Sequence, residues 1–408
     1  MFRRNIYLDQ LIKLKGTSPI KVITGVRRCG KSTLLDLFEE HLVRTKIPKK
    51  SIIRINFEFD EFDYIRDYRD LTAYIKPKIP KGSGGKTFIL LDEVQLVPGW
   101  EKAVNSLRAG KQVDLYITGS NANMLSSTLA TLLSGRYMEI KMLPLSFKEY
   151  LAFNGYKKGA DCQEYFTAYM GFGGFPGLQE MRADENLIRS FLSGIYNTIL
   201  MKDVAIRTSI RNLDLLEKVV RFTASNIGNI ISAKKISDYL TSTGRKTSHE
   251  TIDIYLETLE RAFFLYKAAR YDIKGKELLK TQGKYYIVDM GLRYWSLGKQ
   301  NIDMGSILEN IVFLELIRRG YQVFVGKLPG ALKLPADTEI DFVAIKDGLK
   351  TYYQVTVSMQ DPKVRERELR ALNAIDDQYD KIILTLDRSP FTDYGGITQR
   401  NIIDFLLE

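Results

Sequence analysis

Residues 20–35 read IKVITGVRRCGKSTLL, and the fold of the first third of the chain follows from them. The β-branched run Ile20, Val22, Ile23, Thr24 is a strand pattern that breaks at Gly25; Gly30-Lys31-Ser32 then precede a helix-period segment opening at Thr33. The spacing is G-x-x-x-x-G-K-[ST], with a strand before it and a helix after it. Gly25 and Gly30 let the loop of Gly25, Val26, Arg27, Arg28, Cys29 and Gly30 turn N–H groups inward. The helix start at Lys31, Ser32 and Thr33 adds its positive end to the same cradle. Such a cradle suits a polyphosphate. Lys31 is placed for the β- and γ-phosphates of ATP, and the Ser32 hydroxyl for a Mg²⁺ that bridges them.

The 408 residues suffice for two to four domains, each with its own core. A hydrophobic content of 45% with 27% charged residues excludes a disordered or fibrous chain. Two cysteines, Cys29 and Cys162, build no disulfide framework, and two histidines, His41 and His249, leave no Cys/His zinc cluster. No apolar run reaches membrane-spanning length, and MFRRNIYLDQ lacks the apolar core of a signal peptide. The expectation is a cytoplasmic protein with no membrane partner. The net charge of +11 favours polyanions, but it is concentrated in residues 1–50, where Lys and Arg outnumber Asp and Glu three to one. Charge alone therefore does not separate nucleic acid from the phosphate loop.

Arg3, Arg4, Tyr7 and Leu8 form a basic and apolar lead-in, positioned to edge an adenine pocket. Ser51–Phe57 reads as a second strand. Thr87–Leu91, after the turn Gly82–Gly85, is an apolar strand running into Asp92-Glu93. An acidic pair at such a strand end gives Asp92 the role of holding Mg²⁺ through water and Glu93 that of polarising the attacking water. Pro98-Gly99-Trp100 opens a helix reaching Arg108, and Val113–Thr118 is a buried strand ending in Gly119-Ser120-Asn121. Ser120 and Asn121 are candidates to touch the γ-phosphate or the lytic water; helix capping is the alternative and is compatible with it. Leu133–Tyr137 leads into a further strand with Arg136 at its start, a finger or sensor for transition-state charge or else a plain salt-bridge residue. The alternation of strands and helices implies an α/β fold: a parallel sheet with helices on both faces.

These motifs, RRNIYLDQL, VITGVRRCGKSTLL, FILLDEVQLVPGWE, LYITGSN, LLSGRY and LPLSFKEYL, resemble those of AAA-type P-loop ATPases of bacteria and archaea. The whole chain is similar to that prokaryotic family, whose C-terminal half is a domain of uncharacterised function. The resemblance implies a nucleotide near a subunit boundary, where Arg136 would complete a site of its own or of a neighbouring subunit, and so suggests a homo-oligomer without fixing it.

After the ATPase core of residues 1–145, residues 146–212 read as a helical lid. It is interrupted by the glycine-rich Gly171–Gly177; Lys202, Asp203 and Arg207 lie beyond the bend, as reporters of nucleotide state or solvated helix faces. Residues 213–290 hold helix periods at Leu213–Ser225, Ala233–Thr241 and Ser248–Ala262, then strands around Lys274-Gly275-Lys276, the layout of a winged helix. Ser248, His249 and Thr251 would enter a major groove, with Arg245 and Lys246 on phosphates; Asp253, Glu257 and Glu260 would repel a duplex if they shared the outward face. Residues 291–408 resemble a restriction-endonuclease-like fold with Glu309 and Asp341 in metal-binding positions. Gln354 and Thr356 stand where an acid and a lysine belong, and Lys363 or Arg365 would have to substitute.

The leading expectation is an ATPase that couples Mg-ATP binding and hydrolysis to C-terminal domains that bind DNA. A nucleotide-gated switch or scaffold with a protein partner is the second reading. An ATP-regulated DNA nuclease is the third, disfavoured by the missing lysine.

Overall fold

The apolar runs of the first third become the strands of one parallel sheet. In the computed structural model, β1 (Ile20–Thr24), β2 (Ile52–Asn56), β3 (Thr87–Asp92), β4 (Val113–Gly119) and β5 (Tyr137–Lys141) pair in the order β2-β3-β4-β1-β5, every pairing parallel. The structure describes residues 2–80, 85–110, 112–122, 136–157, 159–181, 184–205, 210, 212–298, 303–328, 338–388 and 392–408. Within these, the chain forms two compact units, residues 1–143 with 261–263 and residues 144–260 with 264–408.

Every residue of β1, β3 and β4 is buried, as a parallel sheet covered on both faces requires. Alternation sorts their side chains. Ile89, Leu91, Leu115 and Ile117 face one way, into a core shared with α3 (Tyr68–Ile75) and α4 (Trp100–Ala109). Tyr116 faces the other way, its ring 4.6 Å from that of Phe38 on α2 (Lys31–Arg44). Because β4 is inserted between β1 and β3, its tip lies beside both: Thr24 stands opposite Gly119, and Leu91 opposite Ile117. The carboxyl ends of the strands thus share one edge, where ligands bind in open α/β sheets.

The opposite edge holds a buried ion pair that the sequence pattern did not announce. Lys21 on β1 pairs with Asp114 on β4, both side chains fully enclosed. Asp114 also accepts from the Tyr116 hydroxyl (3.0 Å) and the Gly16 N–H (2.7 Å), so its oxygens are satisfied without water.

In the second unit, β6 (Ile230–Ile231), β7 (Leu265–Asp272), β8 (Glu277–Ile287), β9 (Gln322–Lys327), β10 (Glu339–Lys346), β11 (Leu349–Val355), β12 (Asp380–Thr385), β13 (Thr392–Asp393) and β14 (Ile397–Asn401) make one nine-stranded sheet. Its order is β13-β14-β12-β11-β10-β9-β7-β8-β6. Helices Leu213–Ser225, Ala233–Ser242 and His249–Arg261 precede the β7–β8 hairpin, and β6 adds to it through Ile230 opposite Lys284. The hairpin is longer than the sequence pattern suggested, and its outer edge does not end at solvent. Arg270, Tyr271 and Asp272 pair with Val325, Gly326 and Lys327 of β9, so strands from before and after residue 290 share one sheet. An edge that would otherwise offer bare N–H and C=O groups is used up in this way.

The glycine-rich bend has a specific cause. Helix Gln163–Phe172 stops at Gly173, whose φ is 80°, and a Cβ there would lie 1.9 Å from Asp289 Oδ1. The Asp289 carboxylate accepts from the N–H of Gly174 (2.7 Å) and of Gly291 (2.8 Å), and burial pushes its pKa up to about 7. Beyond the bend, Asp203 is buried rather than on a solvated face, whereas Lys202 is exposed. Arg207, Leu133–Gly135 and most of the Gly82–Gly85 turn lie outside the described residues. No described helix is long and apolar enough to cross a membrane.

Breaking the Lys21–Asp114 pair leaves an uncompensated buried charge, which typically destabilises by about 3–5 kcal/mol. Asp114→Ala is therefore expected to weaken the first unit by that order, and the double replacement Lys21→Met/Asp114→Leu by less. Urea unfolding followed through Trp100 fluorescence, with Trp295 replaced by Phe, reads this directly. Equal losses in single and double variants would refute the coupling.

Candidate functional site

The phosphate loop has the shape its glycines foretell. Gly25 has φ 152° and a Cβ there would come within 2.1 Å of the Met142 carbonyl; Gly30, φ 102°, is the left-handed cap from which α2 starts at Lys31. Between them Arg28 takes φ 69°, and Arg27 pairs with Glu58 at 2.8 Å. Val26 and Cys29 are buried, Ser32 is half-buried and Thr33 exposed. Burial pushes the Cys29 thiol up, so it packs as an apolar group. Arg4 underpins the loop: its guanidinium donates to the carbonyls of Cys29 (3.0 Å) and Leu143 (2.8 Å) and lies 4.7 Å from the Tyr7 ring. The lead-in thus braces the loop from beneath.

Lys31 is buried and curls over its own loop, donating to the carbonyls of Gly25 (3.1 Å) and Val26 (3.3 Å), with its ammonium 3.4 Å from Glu93 Oε1. Burial alone would lower its pKa, but Glu93, Cys29 and Asp92 more than offset this and hold it above the ordinary lysine value. Burial would raise Glu93, and Lys31 with the Gln95 amide outweighs it, so Glu93 is held below the usual carboxylate range and is ionised at neutral pH.

Asp92 closes β3 fully buried, and Glu93 follows with φ 51°. Two residues that the sequence reading passed over hold this pair. The Thr118 hydroxyl donates to Asp92 Oδ1 and accepts from the Glu93 N–H at 2.9 Å. Arg54 of β2 lies 3.0 Å from Asp92 Oδ2 and 3.1 Å from Asp36 Oδ1. Each carried a signal: a hydroxyl at the tip of an otherwise apolar strand beside the acidic pair, and a lone cation inside the strand IIRIN.

Ser120 and Asn121 are both buried just past β4. Arg136 lies elsewhere. It is exposed, and its carbonyl accepts from the Ile20 N–H (2.9 Å) where β1 begins, roughly 13 Å of strand away from Thr24. The geometry does not bring it to Lys31 within one copy. Ser32 offers a half-buried hydroxyl and Asp92 a carboxylate whose oxygens already accept from Thr118 and Arg54, the oxygen donors that a Mg²⁺ keeping several waters takes directly or through water.

The nuclease-like positions of the second unit form a closed ionic cluster. The Lys284 ammonium, from β8, is 3.0 Å from Glu309, 2.6 Å from Glu339 and 3.3 Å from Asp341, and the Tyr286 hydroxyl donates to Glu309 at 2.6 Å. The cation that meets these acids comes from the hairpin, whereas Lys363 is exposed and Arg365 half-buried. The Gln354 oxygen, expected as a ligand, accepts the Asp341 N–H (2.6 Å), and its amide donates to Glu368 (2.7 Å). Thr356 is buried, its N–H on the Leu384 carbonyl. Gly228 covers Glu309 so closely that a Cβ would sit 2.9 Å from its Oε2. Burial would push Lys284 down, and the three carboxylates more than reverse it; burial also pushes Glu309 up to about 7, with Lys284 opposing. Glu309 is 8% exposed, and the side chains of Glu339 and Asp341 are 22% and 14% exposed.

Two family models match the chain: an AAA domain over residues 17–151 and a domain of unknown function over residues 163–303. An uncharacterised protein of Haemophilus influenzae is 44% identical over all of this chain and 99% of its own length. The uncharacterised protein MJ1544 of Methanocaldococcus jannaschii is 32% identical over 86% of this chain and 77% of its own. Among solved structures, a Walker-type ATPase of Pyrococcus abyssi superposes with a TM-score of 0.51 at 17% identity, covering 72% of this chain and 96% of the other. That likeness concerns the fold.

Lys284→Met would leave three carboxylates crowded around an apolar tip. A carboxyl whose folded pKa is raised, as Glu309's is from 4.5 to about 7, stabilises the fold at low pH and loses that contribution as pH rises through this window. The variant is therefore expected to be destabilised by about 3–5 kcal/mol at pH 8 and by clearly less at pH 5. Guanidinium unfolding read through Trp295, with Trp100 replaced, checks this; a deficit independent of pH would refute the crowding.

Proposed function

The chain belongs to the family of AAA-domain proteins that includes these Haemophilus and Methanocaldococcus relatives, and from that membership we propose that it binds Mg-ATP and hydrolyses it to ADP and phosphate. The observation that carries this reading is the meeting of Lys31, Asp92 and Glu93 at one buried strand edge, with Thr118 fastening the acidic pair.

The loop N–H groups and the start of α2 would cradle the β- and γ-phosphates. Lys31 would exchange the carbonyls of Gly25 and Val26 for phosphate oxygens, a short swing for its flexible stem. Ser32 and Asp92 would hold Mg²⁺, which supplies charge neutralisation at the phosphates when bound. Glu93, ionised and enclosed, would accept a proton from the water that attacks the γ-phosphorus as the bond to the β,γ-bridging oxygen breaks; the products are ADP and inorganic phosphate. Ser120 and Asn121, at the adjacent strand tip, would orient that water or the γ-phosphate. Arg136 would act from a neighbouring copy, which makes a homo-oligomer part of the proposal.

The second unit is the proposed output. We read its three helices with β6, β7 and β8 as a winged helix, and β9–β14 with helix Met304–Arg318 as a restriction-endonuclease-like fold, a reading that their order along the chain supports. Nucleic acid is the proposed target and a protein partner the second reading; the net charge, most of which lies in residues 1–50, does not decide between them. Cleavage of that target is not part of the proposal, because the Lys284 ammonium occupies the space among Glu309, Glu339 and Asp341 that a metal ion would need.

Lys31→Ala is expected to abolish ATP binding. Glu93→Gln should bind ATP at near-parental affinity while turnover falls by about 10²–10⁴, the usual range for loss of a general base. Phosphate release and titration of a fluorescent ATP analogue test both. Parental turnover in Glu93→Gln would sink the assignment of the water-activating residue.

A further inference from the structure

The helix that sequence spacing would lay in a DNA groove presents an acidic face. On His249–Arg261, the side chains of Glu250, Asp253 and Glu257 are all exposed, and His249 sits 3.1 Å from Glu250. A duplex would meet like charge there.

Cationic charge gathers on another face of the same unit. Lys218, Arg221 and Phe222 are three and four residues apart on Leu213–Ser225, and Lys235 and Tyr239 four apart on Ala233–Ser242, so they share neighbouring faces. Together they line an open groove of about 690 Å³. The rings of Phe222 and Tyr239 lie 4.9 Å apart, tilted by 49°, and Tyr239 is 51% exposed. Among the described residues neither Arg221 nor Lys235 pairs with a carboxylate. Lys218 lies 3.4 Å from Asp214, which also holds Arg245 at 3.0 Å. Glu217 and Asp238, exposed on the same helices, do not line the groove.

We propose that this groove binds single-stranded nucleic acid, with phosphates on Arg221, Lys235 and Lys218 and a base stacked against the Phe222–Tyr239 pair. The inference rests on the reading that the second unit engages nucleic acid, and it moves the contact away from the third helix. Unpaired cations beside an exposed aromatic pair are what a flexible strand with free bases needs. A duplex has no free base to stack, and an acidic peptide would use the cations but leave the rings in water.

The test is fluorescence anisotropy of the full chain with labelled oligo-dT, oligo-U, a duplex of equal length and an oligo-glutamate peptide. A salt series accompanies it, and thermal unfolding verifies that each variant is folded. Oligo-dT or oligo-U, whichever sugar is preferred, should bind more tightly than the duplex. Arg221→Gln/Lys235→Gln should weaken that binding about tenfold and flatten the slope of log K against log salt by about 1.4, the value for two lost phosphate contacts to a single strand. Tyr239→Ala should weaken it about fivefold or more with the slope unchanged, whereas Asp253→Asn/Glu257→Gln should leave it within about twofold.

Oligonucleotide binding that survives the Arg221/Lys235 replacements would overturn the groove and leave nucleic acid as the target. Binding of oligo-glutamate alone, or of nothing, would overturn both. Lys31-dependent ATP binding, measured on the same preparation, separates either outcome from failure of the nucleotide site.

Discussion

One hydroxyl holds the acidic strand edge of the first unit together. Thr118 donates to Asp92 and accepts from the N–H of Glu93, so the two acidic residues with different expected tasks are tied to the strand that lies between them and the phosphate loop. This depends on the insertion of β4 between β1 and β3. With β1 and β3 adjacent, no third strand tip would reach both acids. The bond also holds the backbone at Glu93 in its left-handed conformation, which turns the carboxylate toward Lys31.

The two units bury charge for different ends. In the first, Lys31 and Glu93 satisfy one another in a way that phosphate oxygens can replace, because the lysine stem is long and its other partners are loop carbonyls. In the second, Lys284 is surrounded by three carboxylates under a glycine that admits no side chain. A buried cation with three partners contributes little net stability over an apolar core, yet loss of it alone strands the acids. The cluster therefore acts as a clasp between the hairpin, helix Met304–Arg318 and β10.

Much of the first unit was legible in the sequence because its signals are local. The glycines of the loop, the apolar strand ending in Asp92-Glu93 and the strand ending at Ser120-Asn121 each declare themselves within a dozen residues. Arg4 was singled out, but its hold on the Cys29 and Leu143 carbonyls was not foreseen; Thr118 and Arg54 were missed because their roles arise from strand order, which no local pattern encodes. The same holds for Lys284: KYYIV reads as an ordinary strand with a polar first residue, and only the pairing of β7 with β9 brings it to Glu309 and Asp341. The acidic face of the third helix was foreseeable as a condition on Asp253 and Glu257, and the helix phase settled it.

The unbroken sheet of the second unit bears on its mechanics. β8 pairs with β7, β7 pairs with β9 through Arg270, Tyr271 and Asp272, and β9 leads on through β10, β11 and β12 to β14, so a continuous hydrogen-bonded ladder joins the hairpin to the later strands. Load applied at one end of this sheet is borne as shear across ladder after ladder, as in a stiff plate, and would be delivered at the far end with little lost to bending.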